Sequence, residues 1–298
     1  MAARTIELVE VGPRDGLQNE TRPIDTKDKV ALIEKLIDAG LHRIEAVSFV
    51  NPRRVPQMAD AEAVMDALPK RKDVTYIGLV LNAKGAQRAL RTAVNELGAV
   101  VVASDSFGLR NQRQSIDDSV NSALEIMQLA REHGRSAQAC IAMAFGCPFE
   151  GLIAPAKVVE IAEKLARGSP REIALADTIG VAVPNEVSEL VSMVAQAICP
   201  IPVRGHFHNT RNTGIANVWA AIDAGAAAID ASVGGIGGCP FAPNATGNVA
   251  TEDVLYLLDH SHVTTGVDIE AIIRTAAWCS ELLGRQLPGM VSRAGGST

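Results

Sequence analysis

Short apolar runs rich in Val, Ile and Ala recur along the chain, and each gives way to a longer stretch whose apolar positions return every three or four residues. The first pattern is that of a buried strand and the second that of an amphipathic helix. Strands are predicted at 5–11, 43–49, 75–80, 99–104, 138–145, 172–177, 203–208 and 228–233. Helices are predicted to begin near Thr26, Gln57, Lys84, Ser115, Pro155, Pro184, Thr213 and Thr251. Local signals support several of these starts. Asp25-Thr26 offers an N-terminal cap, Pro155 and Pro184 suit a first helical turn, and Thr251-Glu-Asp places acids at a helix N-terminus. Gly40 and Gly225 stand where helices should end.

Strict alternation of strand and helix implies a parallel sheet with right-handed crossovers, and eight such units in one chain can close on themselves. An open doubly wound sheet is the competing arrangement. It is disfavoured because no G-x-G-x-x-G follows the first strand and no Walker A motif occurs. The expected fold class is therefore α/β, a (β/α)8 TIM barrel with an additional C-terminal helix. The chain is read as one catalytic domain over 1–298, with the barrel at about 5–262 and the C-terminal helix and tail at 263–298. Within that last segment a helix is expected at 268–283, then a polar Gly/Ser tail without order.

Composition narrows the function. Hydrophobic residues make up 47% and aromatics 3%, a mix suited to tightly packed helices over a parallel sheet and not to a nucleic-acid stacking surface. The net charge of −6 argues against nucleic acid as a partner, while leaving room for a local basic patch that would take a phosphorylated small molecule. No apolar run approaches the ~20 residues of a membrane span, and the first residues lack a signal peptide's apolar core. A cytoplasmic protein with no membrane partner is expected. Five cysteines form no CxxC pair, so reduced thiols are expected in place of a disulfide framework or zinc knuckle. Cys140, Cys147, Cys199 and Cys279 are read as small buried hydrophobes.

A barrel of this kind carries its active site where the strands end at the C-terminal face. Those ends offer Arg14, Asp15 and Gln18 after the first strand, Glu45 and Ser48 on the second, and Asp177 and Thr178 after the sixth. The seventh gives His206 and His208, and after the eighth come a Gly-rich loop with Cys239 and then Asn248. Taken alone, Val9–Asn19 reads as a polar strand-to-helix loop that Gly12-Pro13 begins. His206-Phe-His208 on a strand turns both imidazoles to one face, a natural pair of ligands for a divalent metal or two histidines satisfied by backbone carbonyls. With Asp15 and Asn248 at the same rim, metal binding is the favoured reading. One carboxylate, two imidazoles and an amide suit Mg2+ or Mn2+ with open positions better than a closed structural zinc. Four glycines precede Cys239 in Gly234–Cys239, which suits a thiol on a loop moving over the site. Glu45 and Asp177 lie in or at the end of apolar strands, where each needs a partner such as Arg14 or a ligand histidine, or a barrel-interior salt bridge. His42, His133, His260 and His262 are given no chemistry.

Five stretches carry a resemblance. They are Val9-Glu-Val-Gly-Pro-Arg-Asp-Gly-Leu-Gln-Asn-Glu20, Gly146-Cys-Pro-Phe-Glu-Gly151, Asp177-Thr-Ile-Gly180, His206-Phe-His208, and Gly237-Gly-Cys-Pro-Phe-Ala242 followed by Gly247-Asn-Val-Ala-Thr-Glu-Asp253. Together they resemble the 3-hydroxy-3-methylglutaryl-CoA lyase family of the metal-dependent TIM-barrel lyase and synthase superfamily. The resemblance runs from about residue 5 to 285. It implies a divalent cation on Asp15, His206, His208 and Asn248, Arg14 stabilising an enolate oxygen, and Cys239 as a lid thiol in proton transfer. It implies Glu45 and Asp177 as acidic site residues, with Arg14, Gln18, Ser48 and Thr178 toward substrate. The implied reaction is retro-aldol cleavage of a 3-hydroxyacyl-CoA thioester to acetyl-CoA and a ketoacid, which is acetoacetate for the 3-methylglutaryl thioester. A lyase for citramalyl-CoA or a longer 3-hydroxyglutaryl-CoA, or a condensing synthase, is the alternative. A homodimer is expected.

Four places depart from the family's pattern. Asn209–Gly214 replaces an Asp-Thr-Tyr-Gly-Gln run, Cys140 and Ala174 stand where tyrosine and serine are familiar, and the basic loop Ser106–Arg113 is altered. The metal and lid positions are intact, so the departures bear on the acyl pocket.

Overall fold

In the computed structural model, which describes residues 4–238 and 247–295, eight parallel strands close into a barrel. They are β1 (Glu7–Glu10), β2 (Arg43–Ser48), β3 (Thr75–Val80), β4 (Glu96–Val102), β5 (Ser136–Ala142), β6 (Ile173–Asp177), β7 (Val203–Phe207) and β8 (Ala228–Ala231). Consecutive strands pair in sequence order and β8 returns to β1, Asp230 opposite Val9. The expected (β/α)8 barrel is therefore present. No described helix is long and apolar enough to cross a membrane.

The outer layer follows from the helical periodicity. Helix α1 (Thr26–Asp38) turns Leu32, Ile33, Leu36 and Ile37 inward, and α5 (Ile116–Glu132) opens with a capping box in which Ser115 and Asp118 satisfy each other's backbone N–H. Between them lie α2 (Ala61–Ala67), α3 (Ala83–Ala89) and α4 (Asp105–Asn111). After α5 follow α6 (Pro155–Ala166), α7 (Pro184–Ile198), α8 (Gly214–Asp223) and α9 (Thr251–His260). Pro155 and Pro184 are the first residues of α6 and α7, and Gly40 and Gly225 take positive φ (96° and 105°) just beyond α1 and α8. The additional C-terminal helix is α10 (Ile269–Leu283), capped by Asp268, and it packs against α1.

Three elements differ from expectation. A 3-10 turn at Pro56–Met58 precedes α2, because buried Gln57 is spent on the neighbouring loop. Its side chain accepts from the Ile24 N–H and donates to the Glu20 and Arg22 carbonyls. The basic segment after β4 is not a loop throughout: α4 forms there with Ser104 Oγ accepting the Phe107 N–H. In the tail, α11 (Met290–Ala294) docks on α9, where Asp253 accepts the Met290 and Val291 N–H groups.

The barrel interior is layered. Val9, Val11, Ile77 and Ala228 form a small apolar cluster of their own, separate from the main core between sheet and helices. Below it, at the strands' N-terminal ends, the interior is closed by charge. Arg43 pairs with Glu96, with Glu7 (3.0 Å) and with Glu172 (2.9 Å), and Arg204 pairs with Glu172 (2.6 Å) and Asp230 (3.1 Å). Above the cluster the interior opens.

Candidate active site

Strand β1 ends at Glu10, and after Val11 Gly12–Gly16 form one π turn that swings Arg14 and Asp15 over the barrel mouth. Buried Glu10 fastens that turn. Its carboxylate accepts the Gly12 and Val233 N–H groups (2.8 and 2.9 Å) and the Thr251 hydroxyl (2.7 Å), tying the ends of β1 and β8 together. Burial pushes Glu10 up to about 7 despite these donors.

Arg14 is bracketed by two carboxylates. Its Nε donates to Glu45 Oε1, and Nη1 donates to Asp15 Oδ1 at 2.7 Å. With two of its faces claimed, the guanidinium is held in one orientation at the cavity wall. Asp15 in turn stands 4.0 Å from His206 Nε2 and accepts the Asn248 Nδ2–H at 2.9 Å. Burial alone would raise Asp15, but Arg14, His206 and His208 outweigh it and hold the acid near 2.

Both histidines face the same space, their rings 5.3 Å apart. One ligand atom each from Asp15, His206 and His208 lies within 4.8 Å of the other two, a spacing one cation can span. His208 Nδ1 is buried with no hydrogen-bond partner among the described residues, a costly state for an imidazole nitrogen that nothing is to fill. Burial, then His206, holds His208 down to about 4, so it is neutral and keeps a lone pair free. His206 is anchored differently. Its Nδ1 meets Asp230 Oδ2 at 2.9 Å, leaving Nε2 for the site. Burial lowers His206, but Asp230 outweighs it and leaves the imidazole above its ordinary range. The donor set fits a divalent cation.

The Gly-rich segment after β8 lies across this cluster as far as it is described. Asn248 pairs with His208 through a backbone bridge and donates to the Ile236 carbonyl (3.2 Å), while Asn19 donates to Gly238 O (2.7 Å). At Gly237 (φ 111°) a Cβ would sit 2.6 Å from Asn248 Nδ2, so only glycine lets the loop come so close. Cys239 lies outside the described residues.

The cavity between these groups has a volume of about 330 Å³. Arg14, Asp15, Gln18, Glu45, Thr178, His206 and His208 all line it, so the sequence reading of the rim brings these together. Three expected site residues stand apart from its wall. Ser48 is buried at the end of β2, its Oγ without a partner among the described residues. Asp177 is buried and spends both oxygens on the Val181 and Ala182 N–H groups (2.9 Å each), which shapes the turn that presents Thr178. Asn248 reaches the site through Asp15. Four residues were missed: Asp230 behind His206, Arg204 and Gln138 on the cavity floor, and Glu10. Asp230 and Glu10 carry the signal that singled out Glu45, a carboxylate inside an apolar strand, as Ala228-Ile-Asp-Ala231 and Leu8-Val-Glu-Val11 show.

Comparison with known proteins follows the same lines. The HMGL-like family model matches residues 5–278. The 3-hydroxy-3-isohexenylglutaryl-CoA/hydroxy-methylglutaryl-CoA lyase of Pseudomonas aeruginosa is 40% identical over 291 residues, 98% of this chain and 97% of that protein. The (R)-citramalyl-CoA lyase of Chloroflexus aurantiacus is 41% identical over 300 residues, covering 97% and 95%. Among solved structures, an HMG-CoA lyase of Acinetobacter baumannii in complex with coenzyme A and 3-methylmalate superposes with a TM-score of 0.95 at 39% identity, covering 100% of this chain and 97% of that one. With the barrel, the rim cluster and these matches in agreement, the chain belongs to the HMGL-like family.

Proposed function

We propose that this protein is a divalent-cation-dependent carbon–carbon lyase that cleaves a 3-hydroxyacyl-CoA thioester, 3-hydroxy-3-methylglutaryl-CoA to acetyl-CoA and acetoacetate being the reference reaction. The observation that carries the reading is the convergence of Asp15, His206 and His208 beside an Arg14 fixed by Glu45. A retro-aldol cleavage needs a hydroxyl made acidic at one carbon and an enolate stabilised on the next. Asp15, His206 and His208, with Asn248 completing the set, would hold Mg2+ or Mn2+, which would supply the Lewis acidity for the first requirement.

Arg14 meets the second. Glu45 and Asp15 leave the guanidinium no freedom to turn, so its remaining N–H groups present a preorganised positive charge to the thioester oxygen as it becomes an enolate. Glu45 therefore acts on the reaction through Arg14 and belongs with it as one unit. Thr178 and Gln18 line the cavity beside this pair and orient the acyl group. Asp177 keeps Thr178 in place through its turn. Ser48, buried with its hydroxyl unspent, backs the same wall. The enolate carbon then takes a proton, a role given to Cys239 on the strength of the resemblance. The CoA arm leaves through the mouth of the cavity, whose lining includes Arg54 and Gln112. A homodimer and a cytoplasmic setting belong to the same reading by the same resemblance.

Incubation with 3-hydroxy-3-methylglutaryl-CoA and either Mg2+ or Mn2+ is expected to release acetyl-CoA and acetoacetate in equal amounts, and chelation to stop it. Release of free CoA from acetyl-CoA plus ketoacids, without cleavage, would identify a condensing synthase instead. Citramalyl-CoA belongs in the same assay, since a relative as similar as the Chloroflexus enzyme carries that name.

A further inference from the structure

We infer that the acyl group this site takes carries at C3 an apolar branch larger than methyl, seated inside the barrel between β4 and β6. The inference rests on the lyase reading above and sharpens its substrate.

The first observation is depth. Alternate residues of a strand point to the same side, and on β4 the inward positions Gly98, Val100 and Val102 all line the cavity. Gly98 and Val102 are four residues apart, so the cavity follows the strand for about 13 Å below the rim. Cys140 and Ala142, paired with Val100 and Val102, line it in the same way from β5.

The second is residue choice. Barrels of this kind fill their interior with bulky branched side chains, and on the β1 and β3 side this one does, with Val9, Val11 and Ile77 fully buried. On the β4 to β6 wall Val100 and Val102 keep that character, but Gly98, Cys140, Ala142 and Ala176 are small.

The third is wall chemistry. Leu79, Val100 and Val102 offer no hydrogen bond, and burial holds the Cys140 thiol neutral. Charged groups bound this stretch at both ends: Arg14 and Glu45 toward the rim, and at the floor Asp230 and Arg204, from which Gln138 Oε1 accepts at 3.0 Å. That pair sets the far limit of the pocket.

These observations select one substituent. A 3-hydroxy-3-substituted glutaryl thioester carries four groups on C3. The hydroxyl and the free carboxylate belong to the Asp15, His206 and His208 side, and the thioester to Arg14. The CoA arm has to reach solvent through the mouth, so it cannot end in a blind pocket inside the barrel. Only the fourth substituent is left for that space, and a methyl group leaves most of it unfilled.

The test compares kcat/KM for three thioesters that differ only at C3: methyl, butyl and 4-methylpentyl. One methylene in an apolar pocket changes kcat/KM by ~10–200-fold. The wild type is expected to favour a longer branch over methyl by at least about tenfold. Cys140→Tyr and Ala142→Leu, each of which fills the pocket, are expected to lower that ratio by at least about tenfold. Because both rates come from one preparation, the ratio is independent of how much of a variant folds. A wild-type preference for methyl, or a ratio that neither variant moves, overturns the inference while the lyase reading stands. Cleavage of none of the thioesters with Mg2+ or Mn2+ overturns the lyase reading, and the inference falls with it.

Discussion

The two ends of the barrel interior hold the same kinds of residue in opposite states. At the foot, Arg43 and Arg204 are ringed by Glu7, Glu96, Glu172 and Asp230, and each charge is answered by another side chain of the protein. At the rim, Asp15, His206 and His208 turn their free atoms toward one another across a cavity, and His208 Nδ1 has no partner among the described residues. A closed set of charges is a structural plug, because burying ions is tolerable only when each is paired. An open set is a site. Asp230 joins the two, with one oxygen on Arg204 and the other on His206. The plug therefore fixes the angle at which the site presents an imidazole.

Substitutions at the two ends should separate these roles. The largest effect is expected at the foot. Arg43→Met takes from Glu96 its fully buried cation and leaves Glu172 with Arg204 alone, and should cost about 3–5 kcal/mol of folding free energy, read by urea denaturation. An unchanged midpoint would remove the plug from the account. At the rim, Arg14→Met should lower kcat by about 10²–10³-fold, the scale of losing one preorganised donor at an oxyanion. A larger loss in KM than in kcat would mean that Arg14 only binds substrate.

Glu10 sharpens the contrast because it has no cation, only the Gly12, Val233 and Thr251 donors. Its folded value of about 7 lies above the usual carboxylate value of 4.5, so the folded protein binds its proton more tightly than the unfolded chain does. The protonated acid thus stabilises the fold fully below about pH 4.5, and that stability is lost as pH rises through 7. The change is on the order of 3 kcal/mol. In Glu10→Gln this part of the pH dependence should be absent from unfolding curves taken across pH 5–8, and an unaltered slope would contradict the assignment. The smallest effect is expected at the junction. Asp230→Asn keeps an acceptor for His206 but loses the charge, and should weaken Mn2+ binding by about 10–100-fold. Full affinity in that variant would disconnect plug from site.

Much of this architecture is legible in the chain. The strand ends that form the rim are punctuated by Gly12-Pro13 and by the two histidines, and the eight-unit alternation, read as a barrel, brings Arg14, Asp15, His206 and His208 to that rim. Strand β4 was harder to place. It starts at Glu96, earlier than its apolar run suggests, because Glu96 faces inward to Arg43 and Gly98 opens the cavity. Asp230 stands out as a carboxylate inside an apolar strand, but its partners do not: Arg204 and His206 come from the neighbouring strand, and only the register of that pairing sets His206 opposite Asp230. Asp177 shows the converse. Its position suggested chemistry, while its oxygens are taken by the backbone of its own turn, a local contact that sequence spacing does not announce.

The central claim is that Asp15, His206 and His208 hold one divalent cation. Titration of the protein with Mn2+, followed by calorimetry and by the electron spin resonance of free Mn2+, tests it without reference to turnover. The account predicts one ion per chain in the wild type. It also predicts loss of that binding in Asp15→Asn and His206→Gln, with both variants still folded by circular dichroism. Undiminished Mn2+ affinity in either folded variant would contradict it.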